Sequence, residues 1–115
     1  MISHKKINIK KGDTFLAKVR GRMTANLSNE LYNIQSLCSE VAMSRTQLYR
    51  KFRSLTGTTP NQYFLAMRLH KARKILSRPD ITVAEAAYRT GFKNISHFSQ
   101  AFSRVFGTPP SEVRK

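Results

Sequence analysis

Apolar residues recur along this chain at three- and four-residue spacing, in runs bracketed by residues that start or stop helices. Phe15, Val19, Met23 and Leu27 repeat at every fourth position with Leu16 beside them. A helix capped by Asp13 or Thr14 therefore carries an apolar stripe, with Lys18, Arg20 and Arg22 on its wet side. Ser28-Asn29 breaks it, and Asn33 can cap a second helix from Ile34 to about Val41 that turns Ile34, Leu37, Cys38 and Val41 inward. Ala42-Met43-Ser44 is a short connection. Ser44 with Gln47 then forms a capping-box pattern for a third helix that stops at Gly57. Leu48, Phe52 and Leu55 share one face of it, which leaves Thr46, Arg50 and Arg53 opposite, flanked by Gln47 and Tyr49. Two helices joined by a tight turn, the second with a polar outer face, make a helix-turn-helix unit.

The second half repeats the first. After Pro60, which suits a turn or a helix opening, Leu65, Leu69, Ala72 and Leu76 form a seam widened by Tyr63, Phe64, Met67 and Ile75. The polar positions of this helix, Asn61 to Leu76, are almost all basic: Arg68, His70, Lys71, Arg73 and Lys74. Arg78-Pro79-Asp80 ends it, and Thr82 with Glu85 opens a short helix to about Tyr88. A turn, Arg89 to Lys93, leads to Asn94, which can cap a last helix ending at Gly107. Leu48 and Phe98, Phe52 and Phe102, Gly57 and Gly107, Thr58 and Thr108, and Pro60 and Pro110 are each 50 positions apart. Upstream the offset is 49, pairing Leu37 with Ala86 and Cys38 with Ala87, so the second turn is one residue longer. Matches at constant spacing and in matching roles argue for two copies of one unit. The expected division is a loose basic leader over 1–12, a first helix-turn-helix subdomain over 13–58, a linker helix within 59–78 and a second subdomain over 79–115.

Charge narrows the partner. Among 115 residues, Lys and Arg number 21 against 6 Asp and Glu, a net charge of +15. Such a field favours a polyanion lying against the fold. The arginines sit inside core-forming helices and are not gathered in a tail. The single cysteine, Cys38, excludes an intramolecular disulfide and a thiolate zinc site, and its helix phase makes it a small buried hydrophobe. No run approaches the roughly 18 apolar residues of a membrane span, and the first residues lack the apolar core of a signal peptide. No membrane contact by this segment is expected, and the cytoplasm is its expected place of work.

The stretches S-R-T-Q-L-Y-R-K-F-R-S-L-T-G-T-T-P-N-Q-Y, R-L-H-K-A-R-K-I-L and V-A-E-A-A-Y-R-T-G-F-K-N-I-S-H-F-S-Q-A-F-S-R-V-F-G-T-P-P-S-E-V-R-K also resemble the DNA-binding domain of the AraC/XylS family of bacterial transcription regulators. The resemblance runs from about Phe15 to Lys115 and is most specific over Ala87 to Arg114. Cys38 stands where that pattern usually has alanine, Ala42 where it prefers glycine or asparagine, and Ala86 where it prefers isoleucine. The resemblance implies an all-α fold of about seven helices, two helix-turn-helix subdomains held by a linker helix, reading double-stranded DNA without a cofactor. It implies an activator's partners too, RNA polymerase and the other domains of a longer parent chain, such as the sensing part of a hybrid two-component sensor. If both recognition helices enter the major groove on one face of B-DNA, they lie about 34 Å apart, or about 10 bp.

On the first recognition helix Thr46, Tyr49 and Arg50 point outward and fall where similar family members place base contacts. Arg50 can grip guanine in bidentate fashion, and Thr46 can meet a thymine methyl or a hydrogen-bonding edge. Tyr49 fits a methyl, a phosphate or a packing role equally well. On the last helix Ile95, Phe98, Phe102 and Val105 face inward and Ser96, His97, Gln100 and Arg104 outward. Ser96, Gln100 and Arg104 are the expected base readers there. Gln100 matches Arg50 by the 50-residue offset, and glutamine suits adenine as arginine suits guanine. Arg45, Lys51, Arg53, Lys93, Asn94 and His97 are expected at the DNA backbone. The bland reading makes Arg50 and Arg104 solvated face charges and His97 an ordinary surface histidine.

Other function classes find less support. The acidic residues Asp13, Glu30, Glu40, Asp80, Glu85 and Glu112 are scattered, and no nucleophile and base pair up, so no enzyme is expected. His4 and His70 have no ligand partners at metal-binding spacing. A charge-driven, non-specific nucleic-acid-binding module is the chief alternative, and a basic face docking an acidic protein is another.

Overall fold

A computed structural model describes the backbone of residues 2–113 and the side chains of residues 14–113. Among these residues the elements are α1 (Ile2–Ala25), α2 (Ile34–Val41), α3 (Arg45–Thr56), α4 (Pro60–Leu76), α5 (Val83–Arg89), α6 (Ile95–Phe106) and a 3-10 turn, Pro110–Glu112, with no strand. The fold is all-α, two helix-turn-helix units joined by α4. The seventh helix implied by the family resemblance is the 3-10 turn.

Local chemistry sets most helix starts. At α3 the Gln47 amide donates to Ser44 Oγ at 3.1 Å while the Ser44 amide donates to Gln47 Oε1 at 2.9 Å. Thr82 and Glu85 make the same reciprocal pair at α5, and Asn33 and Asn94 cap α2 and α6. Thr59 and Gln62 form a further capping box ahead of Pro60. The first helix departs from expectation. It does not start at Asp13 or Thr14 after a loose leader; α1 begins at Ile2. No proline interrupts residues 2–25, and a glycine inside a helix costs only about 1 kcal/mol, so Gly12 is no stop. The expected Asp13 side-chain cap, like the role of Arg114 in the closing motif, lies outside the described residues.

The core divides in two. Val19 and Met23 of α1, Leu37 of α2, Leu48 and Phe52 of α3 and Phe64 of α4 belong to one cluster. Leu69, Ala72 and Leu76 of α4 join Ala86, Ala87, Phe98 and Phe102 in the other. The N-terminal part of α4 thus seals the first core and its C-terminal part the second, which is why its apolar residues do not fall on one stripe. Cys38 is buried, as its phase required. Leu55, Ile95 and Val105, expected inward, are 42%, 38% and 47% exposed. They flank the buried pairs Leu48–Phe52 and Phe98–Phe102, which fill the space between helices and leave the stripe edges in water.

The internal repeat extends to the backbone. Gly57 and Gly107 both end their helices at φ 80°. In the first turn the Met43 amide donates to the Cys38 carbonyl at 3.1 Å, and in the second the Phe92 amide donates to the Ala87 carbonyl at 3.0 Å, 49 positions on. The left-handed residues of the two turns are Ala42, φ 56°, and Gly91, φ 84°. The extra residue of the second turn therefore lies after Phe92. A left-handed conformation costs a non-glycine residue about 1–2 kcal/mol, partly offset in glycine by chain entropy. Ala42→Gly should accordingly stabilise the fold by about 1 kcal/mol, read as a higher midpoint of thermal unfolding. An unchanged or lower midpoint would show that Ala42 is not held in that conformation in solution.

Candidate nucleic-acid interface

Because Leu48 and Phe52 are completely buried, the rotation of α3 is fixed and Thr46, Arg50 and Arg53 stand exposed on its outer side. Complete burial of Phe98 and Phe102 does the same for α6, setting Ser96, Gln100 and Arg104 on one exposed row. The core residues aim the polar ones. Each set is carried by its own unit and core, so the structure gathers the predicted base readers into two faces.

The two faces differ in electrostatic character. α3 holds Arg45, Arg50, Lys51 and Arg53 with no acidic residue, whereas α6 presents serines, Gln100 and Arg104. Shallow clefts lie beside both. One is lined by Gln47, Arg50, Lys51 and Ser54 with Ala42 and Met43, the other by Ser99, Gln100, Ser103 and Arg104. Ser54, Ser99 and Ser103 were not among the predicted site residues. The 50-residue offset, which sets Arg104 opposite Ser54 and Ser103 opposite Arg53, was the signal that could have found them.

Several predicted backbone contacts already have partners inside the protein. The Arg45 guanidinium lies 5.9 Å from the centre of the Tyr49 ring, which is half-buried. The Lys51 ammonium sits 4.6 Å from the centre of the Phe15 ring on α1. Asn94 Oδ1 accepts from the His97 amide at 2.7 Å, and the His97 ring tilts against Phe92 at 5.7 Å. Lys93 is exposed at the mouth of the second turn.

Behind the second face, Thr90 is fully buried and its hydroxyl donates to the Ala86 and Ala87 carbonyls at 2.8 and 3.2 Å. Tyr32 donates to Glu40 at 2.7 Å. Burial, and then the Glu40 carboxylate, push its phenol well above the usual tyrosine range, so it stays a donor. Among the described residues no three His, Cys, Asp or Glu side chains gather as a metal site, and no helix is long and apolar enough to cross a membrane.

Comparison with known proteins places this arrangement. A family model described as a helix-turn-helix domain matches residues 37–115. The HTH-type transcriptional activator RhaS of Escherichia coli O139:H28 is 35% identical over 83 residues, covering 72% of this chain and 30% of that protein. The chain spans only 6% to 30% of the length of the first curated relatives it matches. The DNA-binding domain of AdpA, a global transcriptional factor crystallised with a target DNA, is similar with a TM-score of 0.79 and 33% identity, over 86% of this chain and 88% of that one. A transcriptional regulator of Chromobacterium violaceum, described by its AraC-type DNA-binding domain, superimposes with a TM-score of 0.81 and 28% identity, covering 91% and 93%.

Proposed function

This chain belongs to the helix-turn-helix domain family of AraC-type transcription regulators, and from that premise we propose that it reads a bipartite site on double-stranded DNA with α3 and α6 in successive major grooves. One observation carries the reading. Two helices 50 positions apart bury the same pair of positions completely and turn the same positions outward. A charge-driven binder has no need of that identity of register.

In this reading Arg50 grips a guanine edge and Thr46 a neighbouring base, while Gln100 takes an adenine edge with Ser96 and Arg104 beside it. Tyr49 lies against a thymine methyl or a phosphate, with Arg45 over its ring. Arg53 and Lys93 are free to pair with phosphates. Lys51, Asn94 and His97 would reach the DNA backbone from the intramolecular contacts they hold here. The division into subdomains 13–58 and 79–115 around the linker 59–78 follows the same logic. The domain acts in the cytoplasm as the DNA-binding part of a longer activator that addresses RNA polymerase, and carries no catalytic residues of its own.

Selection from a random duplex library at physiological salt tests this directly. The expected winner holds two short motifs about one helical turn apart, bound at least roughly a thousandfold more tightly than a scrambled duplex. Recovery of a single motif would reduce one helix to a grip. A flat library, with affinity governed by salt alone, would favour the non-specific nucleic-acid-binding module instead.

A further inference from the structure

Arg68 is one of the basic polar positions of the linker helix, and the structure gives it a place of its own. It is half-buried on α4, its guanidinium 4.2 Å from the centre of the Phe64 ring. Its Nε donates to the Leu27 carbonyl at 3.2 Å and a terminal nitrogen donates to the Asn29 carbonyl at 2.8 Å. Both carbonyls belong to the loop between α1 and α2, in the first unit. From the other side comes Gly91, in the turn of the second unit. A Cβ there would stand 2.6 Å from the Leu27 carbonyl oxygen and 2.8 Å from the Arg68 guanidinium. One guanidinium therefore joins the first unit's loop, the linker helix and the second unit's turn.

The position of this joint matters more than its strength. A helix fixes the distance between what is packed at its two ends, but the two cores remain separate clusters that could rock about it. The joint sits three residues before the cap of α6, and Glu30, Lys93, Asn94 and His97 line the same cleft. Any shift of the Gly91 turn on Arg68 would tilt α6 relative to α3. A planar fork that donates along two directions at once holds such a contact as an ammonium does not.

We infer that Arg68 is a positioning residue that locks the second helix-turn-helix unit against the first and so sets the half-site spacing the protein accepts. The inference rests on the bipartite reading above. Linking two binding modules raises affinity only when their separation matches the sites, and stiffness decides how sharply it does so.

The test measures binding to duplexes carrying both selected half-sites, their separation varied in single base pairs, and to each half-site alone. Unaltered protein should prefer one spacing and lose about tenfold one base pair to either side. Arg68→Met keeps the stem over Phe64 and removes the donors. It should flatten that profile to about threefold or less and leave the half-site affinities within about twofold. Arg68→Lys should be nearly as flat, and carries the test if the methionine variant does not fold by circular dichroism. A sharp profile in either folded variant overturns the role of Arg68 while the bipartite reading stands. Unaltered protein that ignores spacing or needs only one half-site overturns the bipartite reading, and the inference with it.

Discussion

Replacing Phe102 by alanine should cost about 3–5 kcal/mol, and the loss should fall on one half of the molecule. The ring is completely buried, with the Phe98 and Phe106 rings 5.7 and 4.6 Å away, so its removal opens a cavity that aromatic neighbours cannot easily fill. Folded domains hold only about 5–15 kcal/mol in total, so the change consumes much of the reserve. Two separate clusters share α4, and Phe102 belongs to the second of them alone. Amide hydrogen exchange should show α5, α6 and the C-terminal half of α4 losing protection while α2 and α3 keep theirs. The counterpart, Phe52→Ala, should reverse the pattern. Equal loss across both halves would mean that the units unfold as one, and that the joint at Arg68 transmits stability as well as orientation.

What could be read before the structure was mostly local. Ser44 with Gln47 and Thr82 with Glu85 satisfy each other's amides across three residues, so their role is written within one helical turn. Gly57 and Gly107 needed only their place after a periodic run, and the burial of Leu48, Phe52, Phe98 and Phe102 followed from helical phase. The outward faces came along with them, because fixing what is inside fixes what is outside. The joint at Arg68 stayed out of view for the opposite reason. Its partners lie 41 and 39 positions away, and although Phe64 and Ala72 flank it on one stripe of α4, that phase names no partner. Lys51 on Phe15 is likewise a contact between elements, invisible in the periodicity of either. Thr90 could be read only as part of a turn, and its burial follows from a hydroxyl that bonds back to the Ala86 and Ala87 carbonyls and so loses no partner.

Arg50→Gln should weaken binding to the selected site by about 1–3 kcal/mol, roughly 5- to 150-fold, and change which base is preferred at one position. Arginine offers two parallel donors to guanine O6 and N7, whereas glutamine offers one donor and one acceptor, the complement of adenine N7 and N6. The variant should therefore recover part of its loss when that single guanine becomes adenine. The protein already contains the comparison. Gln100 stands on α6 where Arg50 stands on α3, on a helix of the same register, so Gln100→Arg should move preference at its own position from adenine toward guanine. Affinities for the four bases at each position, taken with a scrambled duplex as reference, separate reading from attraction. A side chain that serves only as positive charge loses the same factor on every sequence, because phosphates carry no sequence information. Equal losses for Arg50→Gln on the selected and scrambled duplexes would therefore make Arg50 a positive charge held against the phosphates. A loss confined to the selected duplex, and reversed by adenine, would make it a reader of one base.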